Sequence, residues 1–265
     1  MNTAIMNSTF KLSVITIHFE DYDSLRFTWE SLQPYLDQQE IEWIVIDGNS
    51  KPAGETDREL MAIVEQNAHV YRSEPDLGIY DAMNKGIRFV TGLYFLFMNA
   101  GDRFSPDFKL ADLVNRVDKS KPDMIWGNTN YQYVDGTFAV KKLRSPKWMI
   151  YGMPVCHQSV LFLTERFYEM RYDCDLKIAA DYDLLARALN SGASVALVDT
   201  IICEYSAGGL SQTDHWNSLA EENAVRLKNY RIPSWLSRAL MIVKLGLWKL
   251  NDFSPGLNRT WRRKL

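Results

Sequence analysis

An α/β fold, with a mostly parallel sheet, flanking helices and a C-terminal helical appendage, is what this 265-residue sequence predicts. Three observations carry that expectation. Short apolar runs alternate with helix-period segments through the first half, the pattern of parallel strands joined by crossover helices. Polar clusters at Asp47-Gly48-Asn49, Glu74 to Gly78 and Asn99 to Asp102 follow successive apolar runs, where an open parallel sheet binds its ligands. The C-terminal end then turns basic and aromatic.

Leu12 to Phe19 reads as the first strand, and Asp23 is expected to cap a helix that places Leu25, Trp29 and Leu32 on one face. Trp43 to Ile46 is the second strand. Thr56 and Glu59 have the spacing of a capping box ahead of Leu60, Ile63 and Val64. His69 to Ser73 is the third strand, and the Glu74–Gly78 loop leads into a helix carrying Ile79, Met83 and Ile87, closed by Gly92. Leu93 to Met98 is a continuous apolar run, as a buried central strand requires. Further on come a strand at Met124 to Trp126, a hairpin turning at Asp135-Gly136 and a strand at Ser159 to Leu163. A helix at Ala180 to Asn190 ends at Gly192, and two apolar runs follow, Ser194 to Val198 and Ile201 to Tyr205. No repeat or flexible linker interrupts the chain, so one domain is expected over residues 1–230 and an appendage over 231–265.

Composition narrows the classes. With 46% hydrophobic residues the chain can bury a full core. Its three cysteines, Cys156, Cys174 and Cys203, have no paired spacing, which argues against a disulfide framework or a zinc cluster and suits a reducing compartment. The N-terminal stretch lacks a charged leader region, so no secretory signal is expected. The formal charge of −3 is unevenly spread: residues 226–265 hold ten basic residues against Asp252, a net of +9, leaving −12 on the other 225. A basic end that also carries Trp235, Trp248 and Trp261 suits an anionic membrane surface; no nucleic-acid partner is expected.

No GxGxxG or GxxxxGK[ST] string is present, so neither a dinucleotide fold nor a P-loop is supported. Asp102, after the most apolar run, has two readings: a ligand for Mg²⁺ or Mn²⁺ bridging to a diphosphate, or an acid in a Gly-Asp turn. Asp181 and Asp183 lie two positions apart near a helix start. They project from different faces and are not expected to act as one carboxylate pair, though either would suit a cap or the helix dipole.

The strings SVITIHFE, EWIVIDGNS, SEPDLGIYDAMNKG, YFLFMNAGDRF, HQSVLF and AADYDLLAR occur in that order over residues 12–210. Together they resemble the inverting family 2 glycosyltransferases of GT-A, Rossmann-like fold, and most of all the branch found in colanic acid, exopolysaccharide and O-antigen clusters. SEPDLGIYDAMNKG is the most specific of the six. The resemblance implies that Ile17 and His18 line a nucleotide base pocket and that Asp47 hydrogen-bonds the base. It places Asp76, Asp81, Asn84 and Lys85 around the donor's ribose, diphosphate or sugar, Asp102 at the metal and Asp181 as catalytic base. His157, Gln158 and His215 are weaker candidates for acceptor, diphosphate or metal contact, set against purely structural roles. Three departures stand out: Asn99 and Gly101 beside Asp102 in the metal motif, Met83 where many relatives have Arg, and Ala180 in place of Glu before Asp181.

The implied function is transfer of a sugar from a nucleotide diphosphate donor, UDP-linked by default or GDP-fucose, onto a lipid-linked oligosaccharide at the inner face of the cytoplasmic membrane. A nucleotidyltransferase should show a glycine-rich phosphate loop, which is missing; a catalytically degenerate nucleotide-sugar-binding scaffold is the remaining alternative. The segment SWLSRALMIVKLGLWKL is interrupted by Arg238, Lys244 and Lys249, too broken for the ~20 apolar residues that cross a bilayer. It would either lie flat on the membrane or pack on the domain or a second subunit.

Overall fold

A computed structural model describes residues 12–117, 121–133, 136–206 and 214–253. Four strands build the N-terminal half: β1 (Leu12–His18), β2 (Ile41–Asp47), β3 (Val70–Ser73) and β4 (Tyr94–Phe97). They pair in parallel in the order β3-β2-β1-β4, joined by α1 (Tyr22–Asp37), α2 (Glu55–Asn67) and α3 (Ile79–Ile87). Every residue of β1 and β2 is buried, which is why these strands read as continuous apolar runs. Alternate side chains face opposite layers. Ile15, Ile17, Ile44 and Ile46 pack with Met83 and Ile87 of α3, while Leu12, Val14, Trp43 and Val45 pack with Leu25 and Leu32 of α1 and Leu60 and Val64 of α2.

The sheet then continues through β5 (Arg103–Phe104), β6 (Met124–Gln132), β7 (Phe138–Lys141), β8 (Val160–Leu163) and β9 (Val195–Ser206). β8 runs antiparallel to β4 and to β6, and β9 is parallel to β6. The carboxyl ends of β1, β2, β4, β6 and β9 therefore share one edge. The helices of this half are α4 (Leu110–Val117), α5 (Thr164–Phe167) and α6 (Ala180–Asn190), with 3₁₀ turns at Pro146–Tyr151 and His157–Ser159. Two C-terminal helices follow, α7 (His215–Asn229) and α8 (Ser234–Phe253).

Several local expectations change. Asp21, not Asp23, caps α1, its carboxylate accepting the Ser24 N–H at 3.2 Å. At α2 the cap falls at Gly54, with Asp57 reaching back to the Gly54 N–H at 3.3 Å, so Thr56 and Glu59 are not the capping pair. α3 ends at Ile87; Gly92 instead lets the chain pass beside β1, since a Cβ there would lie 2.7 Å from the Ser13 nitrogen. The two late apolar runs form one strand, β9, whose pairing with β6 shifts register twice, the irregularity that makes it read as two. The hairpin joining β6 and β7 is confirmed by its ladder, with Gly136 at φ +79°; Asp135 lies outside the described residues.

α8 docks on the rest of the chain through polar side chains. Ser237 and Lys244, seven positions apart and so on one face, meet α7: the Ser237 hydroxyl donates to Asn223 Oδ1 at 2.6 Å and Lys244 pairs with Glu222. Fully buried Arg226 ties the assembly, donating to Ile150 O at 2.8 Å, Glu222 at 2.6 Å and Ser237 at 3.3 Å. Gly152 sits at φ +140°, a backbone conformation that strains any side-chain-bearing residue, and a Cβ there would also press on the ends of Lys244 and Glu222. Trp235, Ile242 and Val243 point away, at 69%, 65% and 58% exposure. Lys244, read from the sequence as a break in the apolar run, thus faces inward. Trp261, Arg259, Arg262, Arg263 and Lys264 lie outside the described residues, as does the Gly208-Gly209 loop.

Candidate active site

The site begins where β1, β2 and β3 end, with His18, Asp47 and Ser73 side by side in register. The Asp47 carboxylate accepts hydrogen bonds from the Ser50 N–H, the Ser50 hydroxyl and the Ser73 hydroxyl. Three donors leave roughly one of a carboxylate's four acceptor positions for a ligand. His18 is buried, with neither ring nitrogen hydrogen-bonded; Nε2 stands 3.9 Å from Asp47 Oδ1. Burial lowers its pKa and Asp47 opposes the shift, so the imidazole is neutral at pH 7 and offers one donor and one acceptor. Ile17 joins this corner to the next cluster, its carbonyl accepting the Ala100 N–H at 3.1 Å.

The segment from Glu74 to Ile87 divides into two faces. On the outer one, Asp76 accepts the Gly78 N–H at 2.9 Å and Asp81 accepts the Leu77 N–H at 3.1 Å, shaping the turn before α3. Lys85 Nζ donates to Pro75 O at 2.7 Å and lies 3.2 Å from both Glu74 and Asp81. Burial works against its charge, but those two carboxylates outweigh it and hold the ammonium above its ordinary range. On the inner face, the Asn84 amide is fully engaged: Nδ2 donates to Tyr172 O at 3.0 Å, and Oδ1 accepts the Tyr172 N–H at 2.8 Å. Tyr80 stacks on Tyr172 at 5.4 Å and donates its hydroxyl to Ile178 O at 2.6 Å. Asn84 thus fastens α3 to the chain leading into α6. Tyr80, unassigned from the sequence although it sits inside the most specific motif, does the same.

Asp181 occupies the first turn of α6. Its Oδ2 lies 3.3 Å from His157 Nδ1, and its Oδ1 accepts the Tyr182 N–H at 2.7 Å. Asp183 points the other way: fully buried, it accepts from Arg187 at 2.6 Å and Asn229 at 3.0 Å, a structural role. Ala180, between the cap and Asp181, is fully buried. Asp102, 7% exposed, accepts the Asn99 N–H at 3.1 Å and is also hydrogen-bonded by Gln158. Burial pushes its carboxyl up to about 7, against the opposing pull of His157, Asn99 and Gln158. His157 and Gln158, weak candidates in the sequence, are therefore the bridge between Asp102 and Asp181. His215 is the first residue of α7, behind the cap Asp214; it is half-buried.

The structure brings Ile17, His18, Asp47, Asp102, His157, Gln158 and Asp181 to one edge of the sheet, with Asp76, Asp81 and Lys85 on the α3 rim. A carboxylate paired with an imidazole thus lies beside a second buried carboxylate at the carboxyl ends of parallel strands, the edge at which open α/β sheets bind ligands. Residues 13–175 match the family described as Glycosyl transferase family 2, and the chain belongs to it. An uncharacterized glycosyltransferase of Mycobacterium tuberculosis is 32% identical over 213 residues, 77% of this chain and 78% of that protein. A PGL/p-HBAD biosynthesis glycosyltransferase of Mycobacterium bovis is 25% identical, covering 85% and 87%. Among solved structures, S. aureus TarS superposes with a TM-score of 0.62 at 15% identity, covering 87% of this chain and 42% of TarS. The mannosyltransferase PcManGT from Pyrobaculum calidifontis, in complex with GDP-Man and Mn²⁺, gives a TM-score of 0.62 at 12% identity, covering 96% and 83%. These likenesses establish the GT-A type of fold and a glycosyltransferase.

Proposed function

We propose that the chain transfers a sugar from a nucleotide diphosphate donor to a hydroxyl of a lipid-linked oligosaccharide, with inversion, at the inner face of the cytoplasmic membrane, in bacterial surface polysaccharide synthesis. The pairing of Asp181 with His157 next to Asp102 carries this reading. A sugar hydroxyl is a poor nucleophile, so a carboxylate must take its proton as it attacks the anomeric carbon, and Asp181 has that role. Attack from the face opposite the leaving diphosphate inverts the centre in one displacement. Ile17 and His18 hold the base, Asp47 its edge, and Asp76, Asp81 and Lys85 the ribose and diphosphate. Asn84 holds the α3 side of that pocket in place.

Mg²⁺ or Mn²⁺ fits the residues at Asp102. Among the described residues no cage of three or more acidic, His or Cys ligands exists, but such ions take few protein oxygens and complete their shell with phosphate. Asp102 supplies one carboxylate, and Asn99 Oδ1 is a buried oxygen with no hydrogen-bond partner. A bound ion would neutralise charge developing on the departing diphosphate. PcManGT carries GDP-Man and Mn²⁺, and a TarS fragment has been solved with UDP-GlcNAc. UDP-linked sugars and GDP-linked sugars such as GDP-fucose are accordingly the donors to test. At 100 times its Kd a true donor stabilises the fold by about 2.7 kcal/mol, so a thermal-shift screen identifies it, and a flat response to every UDP- and GDP-sugar would reject the donor assignment.

Among the described residues no helix is long and apolar enough to cross a membrane. The outward face of α8, with Trp235, Ile242 and Val243 beside exposed Arg238, suits contact with an anionic bilayer. Deleting the tail would also uncover Arg226, so point changes test this better. The wild type is expected to sediment with 70:30 phosphatidylcholine:phosphatidylglycerol vesicles (about one third anionic lipid) and lose binding in high salt. Replacing Trp235, Ile242 and Val243 together by Asp should leave the protein in the supernatant; equal sedimentation would refute the membrane contact.

A further inference from the structure

We propose that Glu221 is a positioning residue for Asp181, setting the aim of the base from a neighbouring helix. Glu221 lies on α7, more than forty residues along the chain from the turn it holds. Its Oε1 accepts the Lys177 N–H at 2.9 Å, and its Oε2 accepts those of Ile178 at 2.8 Å and Ala179 at 2.9 Å. These three residues lead directly into α6, which begins at Ala180.

The turn into α6 has no side-chain cap of its own. The N-cap is Ala179, which has no side-chain acceptor, and no cap hydrogen bond forms there. The N–H groups of Lys177 and Ile178, ahead of the helix, and of Ala179 at its cap also need acceptors, and leaving them unmet in a partly buried turn costs stability and order. Glu221 meets that demand with charge-assisted bonds. On the other side the Tyr80 hydroxyl holds the Ile178 carbonyl at 2.6 Å. The turn is thus gripped through its N–H groups by α7 and through a carbonyl by α3. α7 is itself braced, because the adjacent Glu222 is engaged by Arg226 and by Lys244 of α8. Asp181 follows two positions after Ala179, so its carboxylate inherits whatever orientation this grip imposes.

The proposal rests on Asp181 being the base, and the experiment separates the two. In the full-length chain, Glu221→Ala, Glu221→Gln and Asp181→Asn are compared with wild type for release of UDP from UDP-GlcNAc and GDP from GDP-Man, with water as acceptor. Misplacing a reacting group by about 1 Å costs up to ~10²-fold, so Glu221→Ala should lower kcat roughly 10- to 100-fold with the donor KM changed by less than about twofold. Glu221→Gln should recover part of the rate, since its amide oxygen still accepts from Ile178 and Ala179. Hydrogen–deuterium exchange needs no donor: in Glu221→Ala the amides of Lys177, Ile178 and Ala179 should exchange at least about tenfold faster while α3 and β1 keep their protection. Unchanged kcat in Glu221→Ala, a fall in kcat matched by a rise in KM, or unchanged exchange at these amides would overturn the proposal. Equal release by wild type and Asp181→Asn would instead remove Asp181 as base, leaving exchange to decide whether Glu221 holds the turn.

Discussion

Asp181→Asn is expected to lower kcat for sugar transfer by about 10²- to 10⁴-fold while the donor KM stays within about a factor of two. The asparagine matches the carboxylate in shape and can still approach His157 Nδ1, 3.3 Å from the present Oδ2, so the fold and the donor pocket should survive. What disappears is a group that accepts a proton from the attacking hydroxyl. The prediction concerns the chemical step alone: a loss confined to KM would mean that Asp181 binds substrate rather than deprotonating it. Comparable turnover by both proteins with a lipid-linked acceptor would remove Asp181 from catalysis. Absence of turnover by wild type with every donor would favour a nucleotide-sugar-binding scaffold. Asp183→Asn serves as a contrast, because that carboxylate is buried against Arg187 and Asn229 and should report on stability.

Asp102→Ala, and EDTA applied to the wild type, should each reduce turnover by about 10²- to 10³-fold, the scale of losing one strong electrostatic stabiliser of the transition state. Full activity in EDTA would refute metal dependence. The same carboxyl makes a prediction about stability. Its pKa in the fold is about 7, against 3.8 for the ordinary group, so the folded chain holds this proton more tightly than the unfolded chain. The stabilising contribution is complete below about pH 4 and is lost as pH rises through 7, by at most on the order of 4 kcal/mol. Urea melts at pH 5 and pH 8 should therefore show a smaller decline for Asp102→Asn than for wild type. Mn²⁺ requires the ionised carboxylate, so its stabilising effect on the wild type should grow across the same interval and be absent in the variant.

Much of the N-terminal half was legible because its determinants are local. A parallel strand buried on both faces must be apolar throughout, and β1, β2 and β4 announce themselves as such runs; the polar clusters that follow mark their carboxyl ends. The ordered strings implied Asp102 and Asp181, and the structure brings both onto the 157–158 turn. Helix starts were less legible. Asp21 and Asp23 are equally good caps as residue types, and only the backbone entering α1 selects Asp21.

By itself, then, the sequence determined the layered α/β architecture, the polar clusters at one edge of the sheet and the amphipathic character of the last helix, since each follows from periodicity and residue type over a few turns. Tertiary structure alone decided that Tyr80 and Asn84 clamp α3 to the approach of α6, that Glu221 receives the amides of Lys177 to Ala179, and that Lys244 turns inward to Glu222 while Trp235 faces out. The reason is physical. A hydrogen bond between groups far apart in the chain leaves no periodic trace, and its partners are chosen by how whole helices pack.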